Sequence, residues 1–596
     1  MSELSQTGAD KSTKAESVLV SNMLAAIGVS DTVRTSLGPR GMDKMITGTS
    51  KETTITNDGA TIMSELQVLH PCAKMFVEMS KAQDVEAGDG TTTVVVMAGS
   101  LLQQAHRLVQ KGIHPNVISR AFGIAVNQVE PILRQIAVPI TLTDKEILIQ
   151  NCVTSLSSKM VSANSEQLAE LAVDAVLSVM EEMPAPPPIL ASMKAEAESA
   201  SSSASSSVST KCFNADLKRV KLIKQLGTPV EECKLIKGLA LSASVSHEPK
   251  AKTKVEKAKI ALIQFCISPP KTDMDSTVVV KQKEEIDAIV RRERSYIVDI
   301  CKKFKAANVN VVLVQKSILR DALSDMALYF LAKAGIMTVK DIERDDVEFI
   351  CRATGCVPIA SPDEINGVEG GKNDPFGYAE LVEEVHPKSS SSMGAVASSY
   401  VQFTNIKEKP GHEAGSVVCL LCCAPNKMML DETERSLHDA LCVARSLVKR
   451  PYLIPGGGAA ETELAVQLGE YARTLSLHGS ETDCGTGLDA VGVRAFGEAL
   501  EMIPLTLAEN AGLPPITVLT ELRAMHHAAH HSEEGKEIDE ETKKGKYFGI
   551  NIRKNAIGNM MEAKVVQPML ITLSAVQLAT ETVRQILRID DICAAR

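Results

Sequence analysis

The sequence predicts a multidomain protein in which a mainly helical part encloses a smaller α/β part. Three observations carry this expectation. At 596 residues the chain exceeds what one hydrophobic core supports, so two to four domains are expected. Strand-like and helical runs alternate from about residue 240 to 360, the pattern of an α/β domain. Glycine-rich loops that open or close amphipathic helices lie in both flanking stretches, at Gly38, Gly88 and Gly456.

Composition narrows the class. Hydrophobic residues make up 44% and charged residues 23%, as in globular proteins. With no Trp and 3% aromatic residues, the core must be built from Ala, Val, Leu, Ile and Met. A net charge of −10 argues against a nucleic-acid partner. Met1 to Thr13 is polar and lacks an apolar signal core, and no apolar run approaches membrane-spanning length. The 14 cysteines are scattered, as in a reducing compartment. The expectation is a soluble cytoplasmic protein with neither a nucleic-acid nor a membrane partner.

Taken in order, residues 1–14 read as a loose tail and a helix begins near Ala15. Met23, Ala26, Ile27, Ser30, Val33 and Leu37 share one face of it. Gly38-Pro39 ends that helix, because proline cannot continue it and glycine tolerates the exit. The loop so formed carries Arg40 and Lys44. Asn57-Asp58-Gly59 then lies between β-prone residues, a tight-turn signal.

The most informative stretch is Glu86-Ala87-Gly88-Asp89-Gly90-Thr91-Thr92-Thr93. Val94, Ala98, Leu101, Ala105 and Leu108 follow at helical spacing, so the motif opens a helix. Free N–H groups and the positive end of the dipole collect there, which suits a phosphate. A lone carboxylate would repel a bare anion, but it fits if Mg²⁺ lies between. Taken alone, each of these loops is equally a turn or a helix terminus. No Walker A or dinucleotide-binding glycine pattern occurs.

Helices are expected over 116–136 and 143–180, and a flexible Pro/Ala/Ser-rich insertion over 184–210. Strands follow at 219–226, 233–243, 257–267 and 309–315, with a charged helix at 281–306 and another from Ile318. Val417 to Cys422 reads as a strand. The long helix after it has Leu430, Thr433, Leu437, Leu441, Ala444 and Val448 on one face, with Asp439 on the flank. A third glycine loop, Gly456-Gly457-Gly458, precedes another helix, and the last helix covers about 569–587. Cys419, Cys422 and Cys423 sit in an apolar strand-like run rather than a zinc site. His526, His527, His530 and His531, in a charge-rich insertion over 524–546, read as solvated surface.

In combination these segments are more specific than any one of them. Leu-Gly-Pro-Arg-Gly-Met-Asp-Lys (37–44), Asn-Asp-Gly-Ala-Thr-Ile (57–62), Gly-Asp-Gly-Thr-Thr-Thr (88–93), His-Asp-Ala-Leu (438–441) and Gly-Gly-Gly-Ala (456–459) resemble the chaperonin family. Lys254–Ile260 and the segment from Pro269 to Asp275 resemble its group II branch. The resemblance covers most of the chain outside the insertions.

What it implies is a chaperonin fold. A mainly α-helical equatorial ATP-binding domain would take 1–136 and 451–596. An α/β intermediate hinge domain would take 137–239 and 415–450. An α/β apical substrate-binding domain would take 240–414, with a helical protrusion as a built-in lid. It also implies an ATP hydrolase within two stacked eight-membered rings of related subunits. The family's clients are unfolded proteins, actin and tubulin among them, and a prefoldin-type co-chaperone can deliver them.

By the same resemblance, Asp89 corresponds to the Mg²⁺ ligand. Gly38, Pro39, Gly41, Gly90, Thr91, Thr92 and Thr93 correspond to the phosphate contacts. Ser157, Ser158 and Lys159 face the nucleotide, with Lys159 near the γ-phosphate. Gly457 matches the base and ribose loop, and Gln567 stands where relatives often carry a carboxylate for the ribose. Asp58 and Asp439 match the carboxylates that position the attacking water, with Asp439 reaching the site when the hinge closes. Ser157 and Gln567 depart from the usual residues, which leaves open an alternative: a ring subunit that binds ATP, hydrolyses little, and acts as a structural and substrate-contacting wall.

Overall fold

The computed structural model describes residues 8–47, 53–142, 144–182, 213–245, 252–269, 279–317, 321–366, 375–386, 399–406, 417–477, 487–530 and 544–592. The expected insertion at 184–210 lies outside the described residues, as does most of the segment after Pro269. The chain forms two compact units. Met1–Val173, Glu182–Asn214 and Arg435–Arg596 make the first, and Asp174–Glu181 with Ala215–Glu434 make the second.

The first unit is helical. Its N-terminal part contains α1 (Gly8–Arg34), α2 (Gly59–Glu65), α3 (Pro71–Glu86), α4 (Thr91–Gln110), α5 (Pro115–Ile136) and α6 (Lys145–Leu156). Its C-terminal part adds helices Ala459–Leu477, Gly487–Leu500, Met502–Ala511, Pro515–His530 and Met569–Ile586. The core forms around α4, whose residues Val94 to Leu102 are all buried. A helix apolar on every side belongs inside a bundle. Accordingly α4 contacts α1, α3, Gly487–Leu500 and Met569–Ile586. The cluster is aliphatic, with one edge-to-face pair, Phe122 on Phe496 at 5.5 Å, joining α5 to Gly487–Leu500. A small sheet orders Val566–Pro568, Tyr452–Pro455 and Val138–Pro139 side by side, pairing Ile454 with Gln567.

The second unit is built on an eight-stranded mixed sheet. Its order is Met337–Ile342, Val311–Gln315, Lys254–Ile263, Gly377–Val385, Tyr400–Ile406, Lys234–Leu241, Val418–Ala424 and Val220–Leu226. The three strands at the first edge run parallel, the pattern expected for strands joined through helices. Helices Lys283–Ala306 and Asp325–Ala334 supply those crossovers, burying Ile297, Ile300, Phe304 and Leu331 against Ile263, Val312 and Val314. Val418–Ala424 is buried along its whole length, with Cys419, Cys422 and Cys423 as free thiols. It is the strand that its apolar run predicts.

Four expectations need correction. The first helix begins at Gly8, inside the stretch expected to be a loose tail. Asn57-Asp58-Gly59 joins a strand to a helix: Thr53–Thr56 pairs with Lys44–Thr47, and Asp58 caps α2 instead of turning a hairpin. The helix expected over 143–180 is broken, with α6 ending at Leu156 and the next helix, Ser165–Val179, starting after a short 3₁₀ turn. The break falls on Ser157-Ser158-Lys159. Lastly, the helix Pro515–His530 carries His526 into the core at 0% exposure, not onto a solvated surface. His526 Nδ1 lies 2.6 Å from Glu463 Oε2, and its Nε2–H donates to the Phe548 carbonyl at 3.0 Å. His530 also bonds Glu463. The spacing fixed which histidines share a helix face, but the burying partner lies 63 residues away in sequence.

Candidate functional site

The site forms where α3 gives way to α4. Gly88 has φ +73, and a Cβ there would stand 2.0 Å from Cys442 Cβ. Only glycine lets the turn pass so close to the helix Lys427–Lys449. Gly90, at φ 78, is the N-cap of α4 and offers no side-chain cap. The first-turn N–H groups of Thr91, Thr92 and Thr93 are thereby left for a ligand. Asp89 Oδ1 accepts from Gly90 N at 2.7 Å, and its carbonyl accepts from Gln83 Nε2 at 3.0 Å. Gln83 is fully buried, and its Oε1 accepts from Ser574 Oγ at 3.1 Å. This clamp from the core holds the Asp89 turn. It was missed in the sequence, although Gln83 occupies an apolar-face position in register with Cys72, Phe76 and Met79.

Asp58 stands beside this turn. It accepts from Thr61 N at 2.9 Å, Thr61 Oγ1 at 2.7 Å and Thr91 Oγ1 at 3.0 Å. Burial acts to raise its carboxyl, but the Lys159 ammonium and the Thr61 and Thr91 hydrogen bonds outweigh it and hold it below its ordinary value. Asn57 Nδ2 donates to the Ser158 carbonyl at 3.2 Å, fastening the break after α6 to the Asp58 turn.

Lys159 projects from that break and forms an ion pair with Asp439. Their side chains are only 8% and 11% exposed. Burial opposes the Lys159 charge, but Asp439, Asp58 and Asp89 more than compensate and raise its pKa. One ammonium thus serves three carboxylates. For Asp439 burial dominates and, with Asp58 and Asp89 nearby, pushes its carboxyl up to about 6 despite Lys159 and His438. Arg445, on the same helix as Asp439, donates to the Val85 and Glu86 carbonyls at 3.0 and 2.8 Å. That ties the end of α3 to the Asp439 helix. Asp439 therefore lies in the same compact unit as the glycine loops.

A cavity of about 1160 Å³ opens alongside. Gly38, Pro39, Asp89, Gly90 and Thr93 line it together with Ser157, Ser158, Gly457 and Gln567. Gly41, Asp58, Thr91, Thr92, Lys159 and Asp439 are not among the lining residues. Asp58, Thr91, Lys159 and Asp439 are joined into the network that flanks the Asp89 turn. Gly41 is wedged against the Ser36 carbonyl, where a Cβ would come within 2.3 Å. Arg40, from the same loop, lines the cavity and donates to the Ala511 carbonyl at 3.1 Å. The Ser157 and Ser158 hydroxyls donate back to Thr154 and Ser155 carbonyls, at 2.7 and 3.2 Å. Gly457, at φ +66, brings its turn against Ile550 and Met560.

The donor set suits a metal–phosphate group. Asp89 offers a hard carboxylate oxygen at the wall of a cavity whose same end holds uncapped N–H donors. Asp84, His438 and Asp439 also bring ligand atoms within 4.8 Å of one another, but Asp439 is engaged by Lys159. Glu461 lines the cavity as well and escaped notice in the sequence. Its only signal there is its place in the first turn after the third glycine loop.

The TCP-1/cpn60 chaperonin family model matches residues 29–596. T-complex protein 1 subunit delta of Takifugu rubripes is 47% identical over 583 residues, covering 98% of this chain and 95% of that protein. The Schizosaccharomyces pombe protein of the same name is 46% identical, covering 98% and 97%. The Homo sapiens one is 45% identical, covering 98% and 95%. Among the described residues no helix is long and apolar enough to cross a membrane.

Proposed function

The chain belongs to the TCP-1/cpn60 chaperonin family, and from that premise we propose that it is a delta-type subunit of a hetero-oligomeric chaperonin, assisting protein folding by binding and hydrolysing ATP. One observation carries the reading. Asp58, Asp89 and Asp439, drawn from three distant segments, surround Lys159 beside an uncapped helix start and a nucleotide-sized cavity.

In this reading Asp89 holds Mg²⁺, which neutralises phosphate charge when bound. Gly90, Thr91, Thr92 and Thr93 would cradle phosphate oxygens with Gly38 and Pro39, while Gly41, whose N–H donates to the Gly38 carbonyl at 2.9 Å, would shape that phosphate loop. Ser157 and Ser158 border the phosphates, Gly457 the base, and Gln567 the sugar. Asp58, kept ionised by its hydrogen bonds, orients the attacking water together with Asp439. Lys159 is held by Asp439 and can serve the terminal phosphate only after that pair opens. Hydrolysis would then be gated by a rearrangement, while binding would not.

We place the chain in the cytoplasm, in two stacked eight-membered rings with related subunits. Residues 1–136 and 451–596 would form the equatorial domain, 137–239 and 415–450 the hinge, and 240–414 the apical domain with its lid. Unfolded proteins, actin and tubulin among them, would be the clients, with a prefoldin-type co-chaperone delivering them. The Lys159–Asp439 pair gives a second reading its footing: a site that binds ATP and seldom hydrolyses it. ATP turnover at this subunit's site, with the other subunits' sites disabled, distinguishes the two. Turnover at the level of a fully disabled ring would rule out the hydrolase reading.

A further inference from the structure

Helix α1 ends at Arg34, and its last carbonyls need donors from outside the helix. The helix Met502–Ala511 supplies them. Asn510 Nδ2 donates to the Arg34 carbonyl at 3.2 Å and to the Leu37 carbonyl at 2.8 Å. Both N–H groups of that amide are thus spent on the turn that leads into Gly38-Pro39. The same helix grips the turn at other points. Arg34 Nε donates to Thr506 Oγ1 at 3.2 Å, and the guanidinium pairs with Glu509. A Cβ on Gly38 would stand 2.6 Å from Leu507 Cδ2.

The bond to Leu37 has a consequence for the next residue. A trans peptide is planar, with its C=O and N–H on opposite sides. With the Leu37 carbonyl turned to Asn510, the Gly38 N–H is turned the other way. Among the described residues no acceptor takes it. Leu37, Gly38 and Pro39 all line the cavity, and Pro39 has no N–H to offer. Gly38 sits at φ +91 with no side chain to resist rotation, so its own sterics do not fix the plane. Released from Asn510, the plane could turn over and present the Leu37 carbonyl, an acceptor, where an anion would lie.

We propose that Asn510 is a positioning residue of the site: by holding the Leu37 carbonyl it aims the Gly38 N–H at a phosphate oxygen of the nucleotide. Asn510 is not among the cavity-lining residues, so it acts through the peptide and does not touch the ligand. The proposal rests on the nucleotide reading above.

Hydrogen exchange of the native assembly, read by mass spectrometry on peptides of this chain, tests it. The Gly38 N–H and the uncapped N–H groups that open α4 both lack partners, so both exchange fast until a ligand covers them. In the wild type, saturating MgADP slows exchange in segments 37–42 and 91–94. In Asn510→Ala, saturating MgADP still slows 91–94 but no longer slows 37–42. The MgADP concentration giving half-protection of 91–94 rises about tenfold or more, the loss expected for a hydrogen bond to a charged group. Asn510→Asp keeps the shape without the donors; it gives the same split and decides the matter if Asn510→Ala does not assemble. Glu509→Gln, which breaks the Arg34 pair on the same helix, leaves both segments protected. Wild-type protection and midpoint in the Asn510 variants overturn the proposal. Equal loss from both segments, or the same split in Glu509→Gln, reduces Asn510 to general packing and overturns it too. Protection of 91–94 alone in the wild type refutes the Gly38 contact and leaves the nucleotide reading standing, whereas protection of neither segment refutes the nucleotide reading itself.

Discussion

Replacing Asp439 by Asn tests the reaction chemistry most directly. The substitution keeps the side chain's shape and removes its charge, so packing of the helix Lys427–Lys449 is preserved. Two effects follow from the geometry. The first is chemical: a water-orienting carboxylate is lost, which is worth about a hundred- to a thousandfold in turnover if it behaves like a removed oxyanion-hole donor. The second concerns Lys159, whose side chain is 8% exposed and loses its ion-pair partner. Stranding a buried charge costs about 3–5 kcal/mol. Here Asp58 and Asp89 remain close enough to Lys159 to hold the cost toward the lower end of that range. The freed ammonium is also available to an incoming phosphate, so ATP affinity is maintained or improved. Single-turnover hydrolysis, equilibrium ATP binding and a thermal melt of the assembled variant separate these effects. Unchanged turnover would show that Asp439 serves only structure. Weakened binding with normal chemistry would place it among the phosphate contacts instead.

Asp89→Ala should abolish Mg²⁺-dependent ATP binding at this site, seen as loss of chain-specific photolabelling; retained MgATP affinity would remove Asp89 from the metal site. Hydrolysis should decline as pH falls through about 6, because Asp439 then gains a proton and can no longer accept one from water. ATP binding over the same range should change far less, and a flat turnover profile down to pH 5 would contradict this assignment. Gly88→Ala places a methyl group 2.0 Å from Cys442 Cβ at a positive φ. It should lower the melting temperature and turnover together, by at least about 1–3 kcal/mol of strain, and an unaltered melt would show that the turn relaxes freely. Glu463, held down to about 2 mainly by His526 and His530 against the effect of burial, contributes stability above its ordinary value of 4.5 that is lost as pH falls toward 2. Glu463→Gln should therefore destabilise the protein by roughly 3 kcal/mol near neutrality, at about 1.4 kcal/mol per pKa unit. The gap from wild type should narrow below pH 4.5 in denaturant titrations.

By itself the sequence determined the elements whose signals are local. The apolar run after Thr93 specified α4 as a core helix, because backbone periodicity is read from neighbouring residues. Gly-Asp-Gly-Thr-Thr-Thr marked a ligand-ready helix start for the same reason, and the order of the motifs marked the family. Tertiary structure alone decided which distant groups meet. Asn57-Asp58-Gly59 carries the same turn chemistry in a hairpin and at a helix start, and only packing against Thr91 and Ser158 selects the second. The apparent helix over 143–180 breaks at Ser157-Ser158-Lys159, where Asn57 bonds the Ser158 carbonyl and Asp439 pairs with Lys159, two partners far away in sequence. His526 looks solvated until Glu463 and Phe548 close over it. Glu461 is an unremarkable first-turn glutamate until burial strips it of water. Charge pairing and desolvation depend on separation in space, which one sequence does not encode locally, whereas periodicity and turn chemistry depend on separation along the chain, which it does.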